Sequence, residues 1–363
     1  MNIIKSRSPF VISVNEALQI GARIELRIWH NGQDVPLLAT KTLSKLIPSP
    51  TQLKLDWNIS QYLDEAIDII NAVKSNSTVL ENNNNWVYCK VKRYKLIGSN
   101  YIAIDEVLYV CVKGFNDFMV GNQVAENSLL KVLNNNLINS YYNKGINETP
   151  YVNIVIDKVS DKTLTATYER NDGVIYSVVQ NLLAGQVGIF NLKVPLTLNP
   201  IDGNFANGCK LTLSYQTSGV PIVNIFNTYP TEECKYTPVE CSFINSKGGW
   251  QFLTFFKAQT NSISVKGSNY NLMPSEVNYN ALKGQSKSFN INGSQSIKLN
   301  TGFVDENNNE LIKDLMLSET VLLDNKPVKL KTQSLTYKTH LKDKNINFEV
   351  EFEYAFELIN NHL

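Results

Sequence analysis

At 363 residues the chain exceeds what one ordinary hydrophobic core holds, and its length sets an expectation of two or three domains. Its 43% apolar and 18% charged residues exclude wholesale disorder. A formal net charge of +1 excludes the broad positive field of a general DNA- or RNA-binder, so no nucleic-acid partner is expected.

No apolar run approaches the roughly 20 residues of a spanning helix, so no membrane span is expected either. The opening MNIIKSRSPFVISV carries two cations but no continuous apolar run or small-residue cleavage site, and reads without a signal peptide. The five cysteines (Cys89, Cys111, Cys209, Cys234, Cys241) are odd in number and lack CxxC spacing, which fits buried free thiols in a reducing cytoplasm. A Cys234–Cys241 link across the Pro238 turn is conceivable, but that compartment disfavours it. Asparagine runs at 82–85, 134–136 and 307–309 reflect a biased composition and are given no function.

The first segment, residues 1–120, reads as a β-sandwich with one packed helix. Phe10–Val14, Ala22–His30 and Leu53–Ile59 alternate apolar and polar residues, the period of a half-buried strand, and Asn31-Gly32 supplies a turn. A helix follows, with Ser60 at its cap, Asp64 and Glu65 in the first turn, and Leu63, Ala66, Ile67 and Ile70 as its apolar stripe. Trp86–Tyr94 and Val107–Lys113 add strands. Ile3–Val14, alternating at the chain start, is expected to be an arm or edge strand that joins a neighbour's sheet.

Residues 121–231 read as a middle β domain. Leu129, Leu133 and Leu137 have helical spacing, but the Asn-rich surroundings favour strands and a connecting loop over 121–150. Val152–Ile156, Leu164–Glu169 and Leu211–Tyr215 then alternate clearly, with turn signals at 171–173, 202–204 and 218–219.

Residues 232–363 read as a C-terminal β domain with one helix. Val239–Ile244 and Trp250–Phe256 flank the turn Asn245-Ser246-Lys247-Gly248-Gly249. Weak strands at 262–265, 288–291 and 296–300 lead to a helix with Glu310 in its first turn and a Leu311, Ile312, Leu315, Met316 stripe. Asn347–Tyr354 alternates strictly, with Phe348, Val350 and Phe352 on the face to be buried. The fold class is therefore mainly β: two to three sandwich- or barrel-like domains with one or two short packed helices.

Catalytic chemistry has little to work with. Histidine occurs only at 30, 340 and 362, none beside a recognisable nucleophile, and no G-x-S-x-G is present. Cysteine and histidine spacings fit no zinc pattern. The 305–310 run DENNNE is rich in oxygen ligands, yet lacks the alternate carboxylates and central glycine of an EF-hand loop. Glu349, Glu351 and Glu353 share one strand face and read as a solvated surface paired with lysines across the strand, not as an acid/base dyad. Gly248-Gly249 precedes a strand and so is a turn, not a phosphate cradle. Trp250, Phe252, Phe255 and Phe256 fit a core better than a sugar-stacking platform. No catalytic, cofactor-binding or metal residue is nominated, no cofactor is expected, and the chain is read as a non-enzyme.

Against that background, Glu233–Pro238, Phe243-Ile244-Asn245, Gly248-Gly249-Trp250 and Phe255-Phe256-Lys257 resemble one block of a virion structural protein of tailed bacteriophages, especially those infecting Bacteroidota. So do Leu299–Phe303 through Glu306, Leu315, Ser318-Glu319, Pro327-Val328 and Ser334–Thr339, and the Ser8-Pro9-Phe10 opening with Asn58-Ile59-Ser60. The likeness covers most of the chain, strongest over 232–359 and weak over 121–230. It implies a tail or baseplate ring subunit made in the host cytoplasm. Such a subunit would act through contacts with itself, in a sixfold or threefold ring, and with other virion proteins. A neck or head-to-tail connector, or a carbohydrate- or receptor-binding sandwich touching host glycans, is the alternative.

Overall fold

The computed structural model describes residues 2–49, 53–69, 81–82, 85–127, 130–132, 139–143, 151–156, 162–170, 172–182, 188–193, 209–217, 220–231, 235–272, 282, 284–304, 308–334 and 346–359. The fold is mainly β, with short helices at Ser60–Ala66 and Asn308–Leu317. Its chain gathers into two compact units that interleave along the sequence. The first comprises Met1–Glu232, Ser242–Leu253 and Asn307–Thr320, and the second Glu233–Cys241, Thr254–Glu306 and Val321–Leu363.

In the first unit the alternation of Gly21–Trp29 is realised as expected: Ala22, Ile24 and Leu26 are fully buried. That strand pairs antiparallel with Trp86–Ile97, which pairs in turn with Asn100–Val112. The six-stranded sheet runs Lys41–Leu46, Gly21–Trp29, Trp86–Ile97, Asn100–Val112, Asn2–Lys5, Glu126–Asn127. A two-stranded sheet of Val11–Val14 and Leu55–Asn58 contributes Ile12, Val14, Leu55 and Trp57 to the same core, a sandwich-like packing of two apolar faces. Four- and five-stranded sheets follow within residues 81–231. Their strands Leu130–Val132 and Asn139–Asn143 agree with the strand reading of 121–150, whose Leu129, Leu133 and Leu137 lie outside the described residues.

The chain start is no free arm. Asn2–Lys5 lies inside the six-stranded sheet, parallel to Tyr109–Val112 on one side and antiparallel to Glu126–Asn127 on the other. Ile3 and Ile4 are buried, so the edge that would join a neighbour is already occupied by the chain's own strands.

The first helix is also shorter than its stripe implies. Ser60 is its first residue, not its cap, and its hydroxyl serves another purpose: it accepts from Phe10 N at 2.7 Å and donates to Ser8 O at 2.5 Å. Asp64 and Glu65 lie beyond the first turn, and the helix ends before Ile67, whose backbone is extended. Leu63 and Ile67 still reach the core, and Ile70 lies outside the described residues. In the second helix, Glu310 does stand in the first turn and Leu311, Ile312 and Leu315 are buried. Asp314 is buried with them, which the apolar stripe does not announce.

The second unit is built on an antiparallel sheet in which Val321–Leu323, Lys326–Leu330, Ile346–Glu357, Ser286–Val304 and Thr260–Asn271 are neighbours in that order. Ile346, Phe348, Val350 and Phe352 are buried, so the strict alternation read from the sequence sets the core face. Leu299 and Ile297 join them from Ser286–Val304, in register with Val350 and Phe352.

Candidate functional site

Residues singled out for possible chemistry are dispersed. His30 closes a turn in which Gln33 N donates to His30 O at 3.2 Å, while His340 and His362 lie outside the described residues. Cys89, Cys111 and Cys241 are buried free thiols, so no Cys234–Cys241 bond forms. Burial pushes the thiols of Cys111 and Cys241 well up, away from the reactive thiolate. The side chains of Cys209 and Cys234, and residues 305–307, lie outside the described residues. Glu349 pairs with Lys298, and Glu351 with Lys331 at 2.7 Å, the cross-strand pairing expected of a solvated face. Trp250, Phe255 and Phe256 are buried, as core. Among the described residues no group of three His, Cys, Asp or Glu side chains comes together to hold a metal. Nor is any described helix long and apolar enough to cross a membrane.

Two features stand out instead, one in each unit. In the first unit a cleft of ≈ 290 Å³ is lined by charges, among them Lys5, Asp117, Lys247, Glu310, Lys313 and Asp314. Lys5 Nζ donates to Asn116 Oδ1 at 2.8 Å and to Phe115 O at 3.2 Å. Asp314 Oδ2 accepts from Ser246 Oγ at 3.1 Å, and Lys313 Nζ meets Asp117 at 3.3 Å. Burial lowers the pKa of Lys5 and of Lys247, against the opposing pull of Asp314 on both. Three cations thus face three carboxylates, and the network ties the helix Asn308–Leu317 and the 245–249 turn to the strand Asn2–Lys5. Its charges are balanced from within.

The second feature is an unfinished sheet. Thr260–Asn271 is the outermost strand of its sheet, and all 12 of its residues are exposed. Its inner side pairs with Ser286–Val304 from Thr260↔Lys298 to Asn271↔Ser286, and among the described residues no strand pairs with its other side. Ladder pairs share a face. Asn261, Ile297 and Phe352 therefore mark the core face, which continues outward onto Ile263 and Val265, each 64% exposed. Leu358 lies on this face too: a Cβ at Gly293 would meet its Cδ1 at 3.1 Å and Ile263 Cγ2 at 3.8 Å. The opposite face is polar, with rows Ser262–Ser296–Glu353 and Ser264–Ser294–Glu357. Ser262 and Ser296 hydroxyls touch at 3.1 Å.

Pairing of Ser286–Val304 with Ile346–Glu357 ends at Ser294↔Glu357. Leu358 N still donates to Gly293 O at 2.8 Å and Ile359 N to Asn292 Oδ1 at 3.0 Å; past them, residues 268–271 and 286–289 form a two-stranded ribbon whose Tyr270 and Phe289 rings meet edge-on at 5.5 Å. A ribbon of two strands is marginal in water on its own. Most natural edge strands are short, charged or covered, and this one is long and carries Lys266 as its sole charge. The sequence pointed to Ser262–Val265 only as a weak strand. With every residue exposed there is no burial alternation, and the legible signal was the low charge and the Ile-Ser-Val step.

Neither a protein-family model nor a curated protein sequence matches the chain.

Proposed function

We propose that the chain is a structural subunit of a tailed-phage particle, a tail or baseplate component that acts through protein–protein contacts with copies of itself and with other virion proteins. The observation that carries this reading is the uncovered outer strand Thr260–Asn271, with its core face running out onto Ile263, Val265 and Leu358. Exposed apolar area that continues a core, beside unpaired backbone donors and acceptors, is what an association surface offers. The first unit adds Phe118 and Met119, 96% and 91% exposed on one short turn. The resemblance of the 232–359 stretch to phage virion proteins supplies the particle, and the low net charge suits broad, mixed interfaces.

The test is twofold. Protein mass spectrometry of purified particles of the encoding phage should find the chain at a fixed ratio to the tail proteins. Light scattering and negative-stain imaging of the purified chain should show oligomers, with threefold or sixfold rings for a ring subunit. A chain missing from particles and monomeric at every concentration overturns the reading.

A further inference from the structure

Resting on that assembly reading, we infer that the strand Thr260–Asn271 is completed by the same strand of a second copy, running antiparallel about a two-fold axis through Ser264. The charge and face pattern of the strand selects this partner and this direction. Parallel alignment of two identical strands would set Lys266 against Lys266, and like charges directly opposite are unfavourable. Antiparallel alignment about Ser264 pairs Ile263 with Val265 of the second copy, and Val265 with its Ile263. The exposed apolar pairs then cover each other on the face that continues the core.

On the other face, Lys266 meets Ser262 of the second copy. That residue heads the row Ser262–Ser296–Glu353, in which Lys331 Nζ already donates to Ser296 Oγ at 3.4 Å, so Lys266 faces a hydroxyl and no like charge directly opposite. The edge Lys41–Leu46 of the first unit is a poorer match, since its Lys41 and Lys45 would face Lys266. Pairing joins the two sheets across Thr260–Ser268 of each copy, satisfying the outward backbone groups of both along that stretch. A contact of this kind is isologous and joins copies two by two, so a threefold or sixfold assembly built on it is a ring of such dimers, with six or twelve copies.

Single cysteines in the full-length chain test the register. Residues opposite one another across an antiparallel pair lie within disulfide reach, whereas Asn271 and its counterpart would stand roughly 50 Å apart at ~3.4 Å per residue. On mild oxidation, Ser264→Cys should form covalent dimers above the background of the unsubstituted chain. Ile263→Cys mixed with Val265→Cys should cross-link more than either alone, and Asn271→Cys should not cross-link. Val265→Lys should halve the mass of the native dimer while leaving the thermal midpoint of the monomer unchanged, because the side chain is exposed in the single copy. Oligomers that persist in Val265→Lys, or cross-linking at Asn271→Cys but not at Ser264→Cys, would overturn this pairing while leaving the assembly reading intact. A purified chain that is monomeric at every concentration overturns the pairing too; only its absence from virions as well removes the assembly reading.

Discussion

At the residue scale, the turn Asn245–Gly249 shows how little freedom the sequence has where strands meet. Asn245 Oδ1 accepts from Lys247 N and Gly249 N, both at 3.0 Å, and Gly248 takes φ +85°. A Cβ on Gly248 would stand 2.7 Å from Val112 Cβ, so Gly248→Ala meets both backbone strain and a steric clash. We expect it to lower stability by about 1–3 kcal/mol. Gly173→Ala is the control: its φ is +84° with nothing within 4 Å, so it reports the backbone cost alone and should cost less in parallel urea titrations. Equal losses at the two sites would mean that the contact with Val112 is not formed.

Charge acts at the same scale through Arg93. Its Nε donates to Asp105 at 2.7 Å and its Nη1 to Ser13 O at 2.7 Å, tying the strands Val11–Val14, Trp86–Ile97 and Asn100–Val112 together. The hydrogen bond from Arg93 holds the Asp105 carboxyl below its usual 3.8. A carboxyl lowered in the folded state adds stability that is present above its unfolded pKa and lost as pH falls through the folded value. Asp105→Asn should therefore be less stable at neutral pH by about 1 kcal/mol or less, the pair being partly solvated, and should lose less on acidification. Unfolding midpoints of both chains at neutral and acid pH decide it: parallel acid limbs would show that Asp105 does not titrate as described.

At the scale of elements, Asn2–Lys5 is the piece whose loss reaches furthest. Ile4 is fully buried between Asn100–Val112 and the core beneath, so Ile4→Ala should cost about 2–5 kcal/mol, read as a lowered thermal midpoint. Removing residues 1–14 takes away this strand and Val11–Val14, and should leave a chain without a cooperative melt. A folded monomer after that deletion would restore the arm reading that the strand pairing displaces. The contrast shows which parts of the fold were legible. Ile346–Glu357, Gly21–Trp29 and the helix Asn308–Leu317 each carry a period long enough to set their buried face by themselves. Asn2–Lys5 has four residues and a parallel partner more than a hundred positions away, so nothing local distinguishes a buried strand from an arm. Ser60 misleads for a related reason: its hydroxyl is claimed by Phe10 and Ser8 across the sequence, and the helix does without a side-chain cap. The candidate interface was the least legible element, because a strand that buries nothing within its own chain leaves no periodic trace.

At the scale of the whole molecule, connectivity decides what can be separated. The sequence reading draws 232–363 as one C-terminal domain, yet Ser242–Leu253 and Asn307–Thr320 gather with the N-terminal residues while the segments around them form the second unit. No single cut then releases a unit intact. A fragment of 233–363 keeps the helix Asn308–Leu317 but leaves Leu311, Ile312 and Leu315 without the unit they belong to, and a helix of 10 residues does not hold itself in water. A fragment of 1–232 lacks the 242–253 strands and this helix. It also lacks Asp314, whose carboxylate helps to balance the half-buried Lys5. We expect neither fragment to melt cooperatively alone, and co-expression of the two to recover a soluble complex with a cooperative transition. A cooperative melt of isolated 233–363 would show instead that its strands and helix form a self-sufficient core, and that the interleaving is a matter of proximity with little energetic weight.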